Sequence, residues 1–174
     1  MSPFQFRAAL LSDYPTIVTL NEESEHFLSP LNLDKLARLA NEAAVFQVAL
    51  SGDTVAGFLL AFLHEANYES PNFLWFKARY TDFFYIDRIV VAEPFRSRHL
   101  ASDLYGRLES QAISRGISRL ACEVDIEPPN PVSIWFHQKH NFIEVGQQSI
   151  RSAEKGNHQK IVSLQMKRLV TPVP

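Results

Sequence analysis

The stretch YIDRIVVAEPFRSRHLASDLYGRLE, residues 85–109, runs from a β-branched strand through a proline stop into an arginine-rich turn and an amphipathic helix. Leu100, Leu104, Leu108 and Ala112 fall on one helical stripe, with Asp103, Arg107 and Ser110 away from it, and Gly116 stands where the helix should end. A helix beginning near Ser97 leaves its first N–H groups without intrahelical partners, which suits an anion, and Arg96 and Arg98 add charged planar forks. The same residues also fit an ordinary helix capped by Ser97 with two solvated arginines. The turn lacks the glycine that phosphate sites often carry, so the question is whether it can still hold a phosphate.

Working outward, FQFRAAL reads as a short strand, after which Ser12 can cap a helix to about His26 with Pro15 in its first turn. A second helix starts after Asn32, and VFQVAL, SGD and TVAGFLLAFL read as a β-hairpin. Segment 64–82 is polar and proline-broken at its start but carries Tyr68, Phe73, Trp75, Phe76 and Tyr80; it reads equally as a cluster packed on the sheet or as a lid over a substrate. FFYIDRIVV and SRLACEVDI are strands, PVSIWFHQKH is a short helix, and FIEVGQQSIR and QKIVSLQMKRL close as an antiparallel pair around SAEKGNH. This order predicts an α/β, or layered α+β, fold with a mixed sheet and one parallel crossover, in a single domain over residues 1–174.

With 46% hydrophobic and 21% charged residues, the 174-residue chain can bury a sizeable core. A net charge of −2 argues against a nucleic-acid partner. One cysteine, Cys122, allows no internal disulfide, MSPFQFRAAL lacks the pattern of a signal peptide, and no apolar run is long enough to span a membrane; a cytoplasmic setting is expected. His26, His64, His140 and His158 show no ligand spacing, so no metal is expected. Cys122 alternates with Leu120 and Val124 as a buried small hydrophobe would.

A second signal lies at 129–142, PNPVSIWFHQKHNF, where helical spacing puts Asn130, Ser133 and His137 on a polar face and Val132, Trp135 and Phe136 on an apolar one. Together the two segments resemble the GNAT superfamily of N-acetyltransferases. The family's Q/R-x-x-G-x-G/A turn is matched by Arg96 and Ala101, with His99 in place of the middle glycine; its N-x-x-S-x-x-F/L-H/Y-x-x-x-G-F pattern is matched by Asn130, Ser133, Phe136, His137 and Phe142, with Asn141 in place of glycine. The resemblance implies a central sheet of about seven strands, splayed between the fourth and fifth and flanked by about four helices. It also implies acetyl-CoA as cosubstrate, held by Ile89, Val90, Val91, by Arg96, Ser97, Arg98, His99, Leu100, Ala101 and Ser102, and by Asn130, Ser133 and Phe136. His99 is expected to need no positive φ and to matter only if its ring enters the turn; retained binding is the expectation.

Acetyl transfer to an amine needs a proton acceptor, an oxyanion donor and a proton for the departing thiolate. The candidates for base are Glu123, which shares a strand face with Asp125, and Asp87, placed by period two on the face of Tyr85 and Ile89. His137 stands where the family commonly has a tyrosine acid, with Tyr80, Tyr85 and Tyr105 as substitutes. The leading expectation is an N-acetyltransferase acting on a primary amine of a small molecule or peptide, as a monomer or homodimer. The missing glycines keep open a non-catalytic acyl-CoA-binding or regulatory protein, or a relative that works through protein contacts alone.

Overall fold

The computed structural model describes residues 3–152 and 158–169; the SAEKGNH loop lies mostly outside them. Strands β1 (Gln5–Ala8), β2 (Val45–Ser51), β3 (Thr54–Leu63), β4 (Phe84–Val91), β5 (Arg119–Glu127), β6 (Ile143–Ser152) and β7 (His158–Arg168) form one seven-stranded sheet in the order β1-β2-β3-β4-β5-β7-β6. All neighbours are antiparallel except β4 and β5, which run parallel and pair only at Phe84↔Leu120 and Tyr85↔Ala121. Beyond those two rungs the strands part, which is the splay expected between the fourth and fifth.

Among the described residues five α-helices flank the sheet: α1 (Tyr14–Glu22), α2 (Leu33–Glu42), α3 (Pro71–Lys77), α4 (Leu100–Ser114) and α5 (Pro131–Lys139). The helix beyond the expected four is α3, inside the aromatic 64–82 segment, with Pro71 in its first turn. On one face Ile17, Leu20, Leu36, Phe73 and Phe76 from α1–α3 pack with Phe58, Phe62 and Tyr85; on the other, Leu100, Leu104, Leu108 and Ala112 of α4 pack with Leu59, Ala61 and Phe84. At the start of α4, Leu100 sits over Gly57, where an added Cβ would lie 2.6 Å from the Val90 carbonyl oxygen and 3.4 Å from Leu100 Cδ2. Bare backbone there lets the helix begin against the sheet. No helix among the described residues is long and apolar enough to cross a membrane.

Three local expectations change. The first helix starts after a 3-10 turn at Leu11–Asp13 and stops at Glu22; Ser12 does not cap it, and Asp13 is occupied by Arg7 Nη1 at 2.6 Å and the Leu10 N–H at 2.7 Å. α4 begins at Leu100 rather than near Ser97, because a 3-10 turn at Glu93–Phe95 and an irregular stretch come first. A bulge in β4 moves the register from Ala61↔Ile86 to Leu60↔Arg88, so Tyr85 and Ile89 pack on opposite faces instead of sharing one.

Candidate active site

The turn before α4 is held open by two residues in left-handed backbone, Ser97 at φ 62° and His99 at φ 63°. The expectation that His99 needs no positive φ is therefore overturned. Position 99 is left-handed in this chain, and histidine belongs to the non-glycine residues enriched in that region. Asn141, at the other replaced glycine, has φ 63° and comes from the same set. The first backbone bond of α4 runs from Asp103 N–H to His99 C=O at 3.0 Å, so the N–H groups of Leu100, Ala101 and Ser102 lie ahead of the helical ladder. Arg96, Ser97, Arg98 and His99 are exposed. Arg96 Nε donates to the Val91 carbonyl at 3.2 Å, tying the turn to the end of β4, and the Arg98 guanidinium lies 5.6 Å from the Phe95 ring. An open cradle of amides rimmed by two guanidinium groups fits a pyrophosphate.

The β4 edge beside the gap can be assigned from its neighbours. Ala92 donates to Ala56 of β3 at 2.9 Å and the Val90 carbonyl faces Gly57, so residues 90 and 92 point toward β3. By strand alternation Ile89 and Val91 turn their N–H groups toward β5, where pairing has ceased. Of the three backbone candidates at 89–91, Ile89 and Val91 address the gap and Val90 does not.

On β5, Glu123 meets the gap from below. Its Oε2 accepts from Tyr85 Oη at 2.5 Å. Burial raises its pKa to about 7, the bond from Tyr85 opposes the rise, and Asp87 adds to it. A carboxyl poised near neutrality is suited to accept a proton. Burial, with Glu123 and Asp87 nearby, drives the Tyr85 phenol upward, so it stays a donor. Asp125 is engaged elsewhere, with Lys160 Nζ at 2.8 Å.

Asp87 is fully committed. Tyr68 donates to one carboxylate oxygen and Arg88 Nε lies 2.6 Å from the other, with 5% of the Asp87 side chain and 2% of Arg88 exposed. Arg88 goes on to Asn21 Oδ1 at 2.8 Å and Ser29 Oγ at 3.2 Å, fixing the connection between α1 and α2. This is a buried ion pair bonded at both ends, not a free base.

His137 lies in a different place from the one its helical spacing suggested. The face of α5 carrying Val132 and Trp135 is the solvent side, with exposures of 76% and 61%, whereas His137 is buried. Asn130 caps α5 by accepting from the Ser133 N–H at 3.1 Å. His137 Nδ1 lies 2.8 Å from the Ser133 carbonyl, which can only accept, so Nδ1 carries the proton and Nε2 accepts from Tyr105 Oη at 2.9 Å. Burial lowers the His137 pKa. Phe136 packs edge-on to Tyr105, and Ser102 Oγ is 3.0 Å from His140 Nε2. These residues join α5 to α4, the helix that carries the amide cradle.

The Acetyltransferase (GNAT) family profile matches residues 6–142. The chain belongs to the GNAT acetyltransferase family. Solved structures agree on the fold across almost its full length: Ard1 of Thermoplasma volcanium, 15% identical with a TM-score of 0.77, covers 97% of this chain and 99% of its own. The ribosomal-protein-S18-alanine N-acetyltransferase of Escherichia coli is 13% identical with a TM-score of 0.72, covering 98% of this chain and 96% of its own. The yncA protein of Salmonella typhimurium, solved with acetyl-CoA, is 14% identical with a TM-score of 0.72 over the same shares of the two chains. A comparison with curated protein sequences finds no match. Like other GNAT members, the chain carries a seven-stranded mixed sheet with one parallel pair.

Sequence reasoning missed Asn72, Arg88 and Gln148 of this GNAT site, which lie far apart in sequence and look like ordinary polar residues. The one available signal was Pro71, which could have marked a helix inside 64–82. That segment is no lid: Phe73 and Phe76 are fully buried core, and Trp75 rests on Gly146 of β6. Among the described residues, no group of three or more His, Cys, Asp or Glu is placed to hold a metal. Cys122 is buried and its thiol is pushed up by desolvation, so it is no nucleophile.

Proposed function

We propose that the whole chain acts as one N-acetyltransferase domain that transfers an acetyl group from acetyl-CoA to a primary amine by direct attack. The observation that carries this reading is Glu123, a carboxyl poised near pH 7 at the mouth of a gap whose other wall offers unpaired strand amides. Acetyl-CoA, when bound, supplies an activated acetyl group as its thioester. The chain's share is to bind, orient and move a proton. Amides of Leu100, Ala101 and Ser102, with Arg96 and Arg98, would hold the pyrophosphate; Ile89 and Val91 N–H groups would hold the pantetheine amides and meet developing negative charge on the acetyl oxygen. Glu123 takes one proton from the acceptor's ammonium, leaving the nitrogen lone pair free to attack; the new C–N bond replaces the C–S bond, coenzyme A leaves as the thiolate, and the second proton shed by the nitrogen neutralises it. Asp87 and His137 receive positioning roles: the first anchors the α1–α2 connection through Arg88, the second locks α5 to Tyr105 of α4.

The motive for a non-catalytic rival was the loss of glycine at 99 and 141, and both positions keep the left-handed backbone that glycine serves. A fold neighbour named for the alanine of a ribosomal protein makes a peptide α-amine the first acceptor to try, with small primary amines alongside. The strands at the two edges of the sheet, β1 and β6, would allow a homodimer as well as a monomer. The test is a thermal-shift titration with acetyl-CoA, coenzyme A and dephospho-coenzyme A, followed by turnover on an amine panel. Saturation at 100 times Kd should stabilise the fold by about 2.7 kcal/mol. No shift at millimolar acetyl-CoA would end the reading.

A further inference from the structure

The last rung between β4 and β5 sets a phenol against the carboxyl at the gap. Tyr85 pairs with Ala121, and the strands part beyond it. Ala121 and Glu123 share a face of β5, where they pair with Met166 and Leu164 of β7; Tyr85, Ala121, Leu164 and Met166 belong to one core cluster. The small Ala121 side chain leaves the Tyr85 ring room to lean along β5, and its Oη donates to Glu123 Oε2 at 2.5 Å. With Oε2 taken by the phenol, Oε1 is left to meet an incoming ammonium. Tyr85 is fully buried and Glu123 half-buried, so a proton reaches the carboxyl from the gap and not through the phenol. The ring that carries the hydroxyl is held from behind by the aromatic segment at 64–82. Phe73 of α3 meets it edge-on with centroids 5.4 Å apart, and Phe76 and Tyr68 lie at 6.1 Å and 6.3 Å. Phe73 and Phe76 are themselves fully buried, and Asn72 beside them accepts from Gln148 Nε2 of β6 at 3.1 Å, which pins α3 to the sheet.

We propose that Tyr85, backed by the aromatic residues of 64–82, is a positioning residue that holds the Glu123 carboxylate with Oε1 toward the gap, ready to accept one proton of the acceptor's ammonium. The proposal rests on Glu123 being the base. Tyr85 keeps its own proton throughout, because burial, with Glu123 beside it, pushes the phenol well above its ordinary value. A bond donated to the ionised carboxylate favours that form, so its removal makes the carboxylate harder to form. The other charged and titratable groups whose fields reach Glu123 are Asp87 and Arg88 of β4, Tyr68, Tyr105 of α4, Lys160 of β7 and Cys122 on its own strand. All of them are kept in Tyr85→Phe.

The test combines two readouts on Tyr85→Phe, which removes only the hydroxyl, and on Tyr68→Phe, which strips a hydroxyl from the same aromatic cluster but from the contact to Asp87. The first is a carboxyl-labelled NMR titration of Glu123, identified by the resonance lost in Glu123→Gln. The second is the acidic limb of kcat/KM against pH for the acceptor. In Tyr85→Phe both midpoints should rise by about one pH unit, so that kcat/KM falls about tenfold at pH 6 and less than about threefold at pH 9. Tyr68→Phe should move both midpoints by less than half as much, and KM for acetyl-CoA should not change in Tyr85→Phe. A meta-fluorotyrosine in place of Tyr85, a stronger donor of nearly the same shape, should move both midpoints the other way. If neither midpoint moves in Tyr85→Phe, the proposal is overturned at the contact itself. A displaced NMR midpoint with an unmoved kinetic limb overturns it through the base assignment instead. A uniform loss of kcat at all pH values with a lower Tm makes Tyr85 structural only and equally overturns it, as does an equal displacement in Tyr68→Phe. Should Tyr85→Phe fail to fold, the fluorinated protein carries the same readouts with the opposite sign.

Discussion

The turn before α4 lies just past the end of β4 and the corner around Glu123 lies within β4 and β5, yet the two are built from different materials. The turn is exposed backbone: Ser97 and His99 supply a conformation, and Leu100 to Ser102 supply amides that any residue but proline carries. The corner is buried side chain: Tyr85, Asn72, Asp87, Arg88 and Tyr68 are each bonded to a specific partner. A site made of backbone tolerates substitution wherever φ and ψ survive. One made of buried polar side chains tolerates it only where every partner is kept. The donor side should therefore bend under mutation and the acceptor side should break.

The largest effect is expected at Glu123. Glu123→Gln should lower kcat/KM by about a hundred- to ten-thousand-fold, the range for a lost general base, while the thermal shift with acetyl-CoA is retained. The wild-type acidic limb should fall near pH 7. Stability should move the other way. The folded-state pKa lies above the usual 4.5, so the folded protein holds the proton more tightly than the unfolded chain, and stability is lost as pH rises from that value through about 7. Glu123→Gln should therefore melt higher than wild type at pH 8, with the gap closing toward pH 4.5. A variant that is both inactive and less stable at pH 8 would contradict the account of a desolvated base.

Next comes Arg88→Met, which leaves Asp87 buried with only Tyr68 as a partner. Breaking a buried pair on one side costs about 3–5 kcal/mol, and the double variant Asp87→Asn/Arg88→Met should recover part of it. Urea unfolding of the two variants beside wild type checks this; a loss under about 1 kcal/mol would show that the corner is wetter than its 2% and 5% side-chain exposures indicate.

The two regions also differ in how far the sequence disclosed them. The donor side was legible because its parts are contiguous: a strand, a proline stop, arginines and an amphipathic helix lie within 85–109. Even there, the left-handed backbone at His99 escaped, since a histidine does not mark such a position the way a glycine does. The acceptor side was half legible. Glu123 could be proposed from strand position, but period-two counting put Ile89 on the face of Tyr85 and Asp87, and a bulge in β4 turns it to the other face. Helical counting on α5 grouped Val132 and Trp135 on an apolar face and His137 on a polar one, and it is the apolar pair that is exposed. Trp135 and Val132 look like core, yet the buried side is the one that lets His137 bond to Tyr105. Asn72 and Gln148 are 76 residues apart, and no local pattern links them.

His137 gives a middle-sized test that separates chemistry from architecture. His137→Leu removes the acceptor for Tyr105 Oη in a fully buried setting, so it should cost about 1–3 kcal/mol by leaving that hydroxyl unpaired. The companion Tyr105→Phe/His137→Leu should be more stable than His137→Leu alone. The kinetic profile against pH should keep its shape in His137→Leu at a temperature well below its Tm. A specific loss of kcat of tenfold or more, with acetyl-CoA binding intact, would return His137 to the chemistry.

The smallest effect is expected at His99, where it decides what the replaced glycine does. A left-handed backbone costs an ordinary residue about 1–2 kcal/mol, less for histidine, and glycine avoids that cost while gaining freedom in the unfolded chain worth about 0.4–1 kcal/mol against it. The two nearly cancel, so His99→Gly should change stability by less than about 1 kcal/mol. Acetyl-CoA affinity should stay within about threefold, because the exposed ring leaves the amides of Leu100 to Ser102 where they are. His99→Val is the informative partner. A β-branched residue at φ 63° is a true outlier, so it should either strain the turn or flip it, lowering acetyl-CoA affinity and Tm together. If instead His99→Gly tightens binding tenfold or more while His99→Val matches wild type, the ring is an obstacle and the backbone is not the determinant. The donor side would then depend on side chains as much as the corner around Glu123 does.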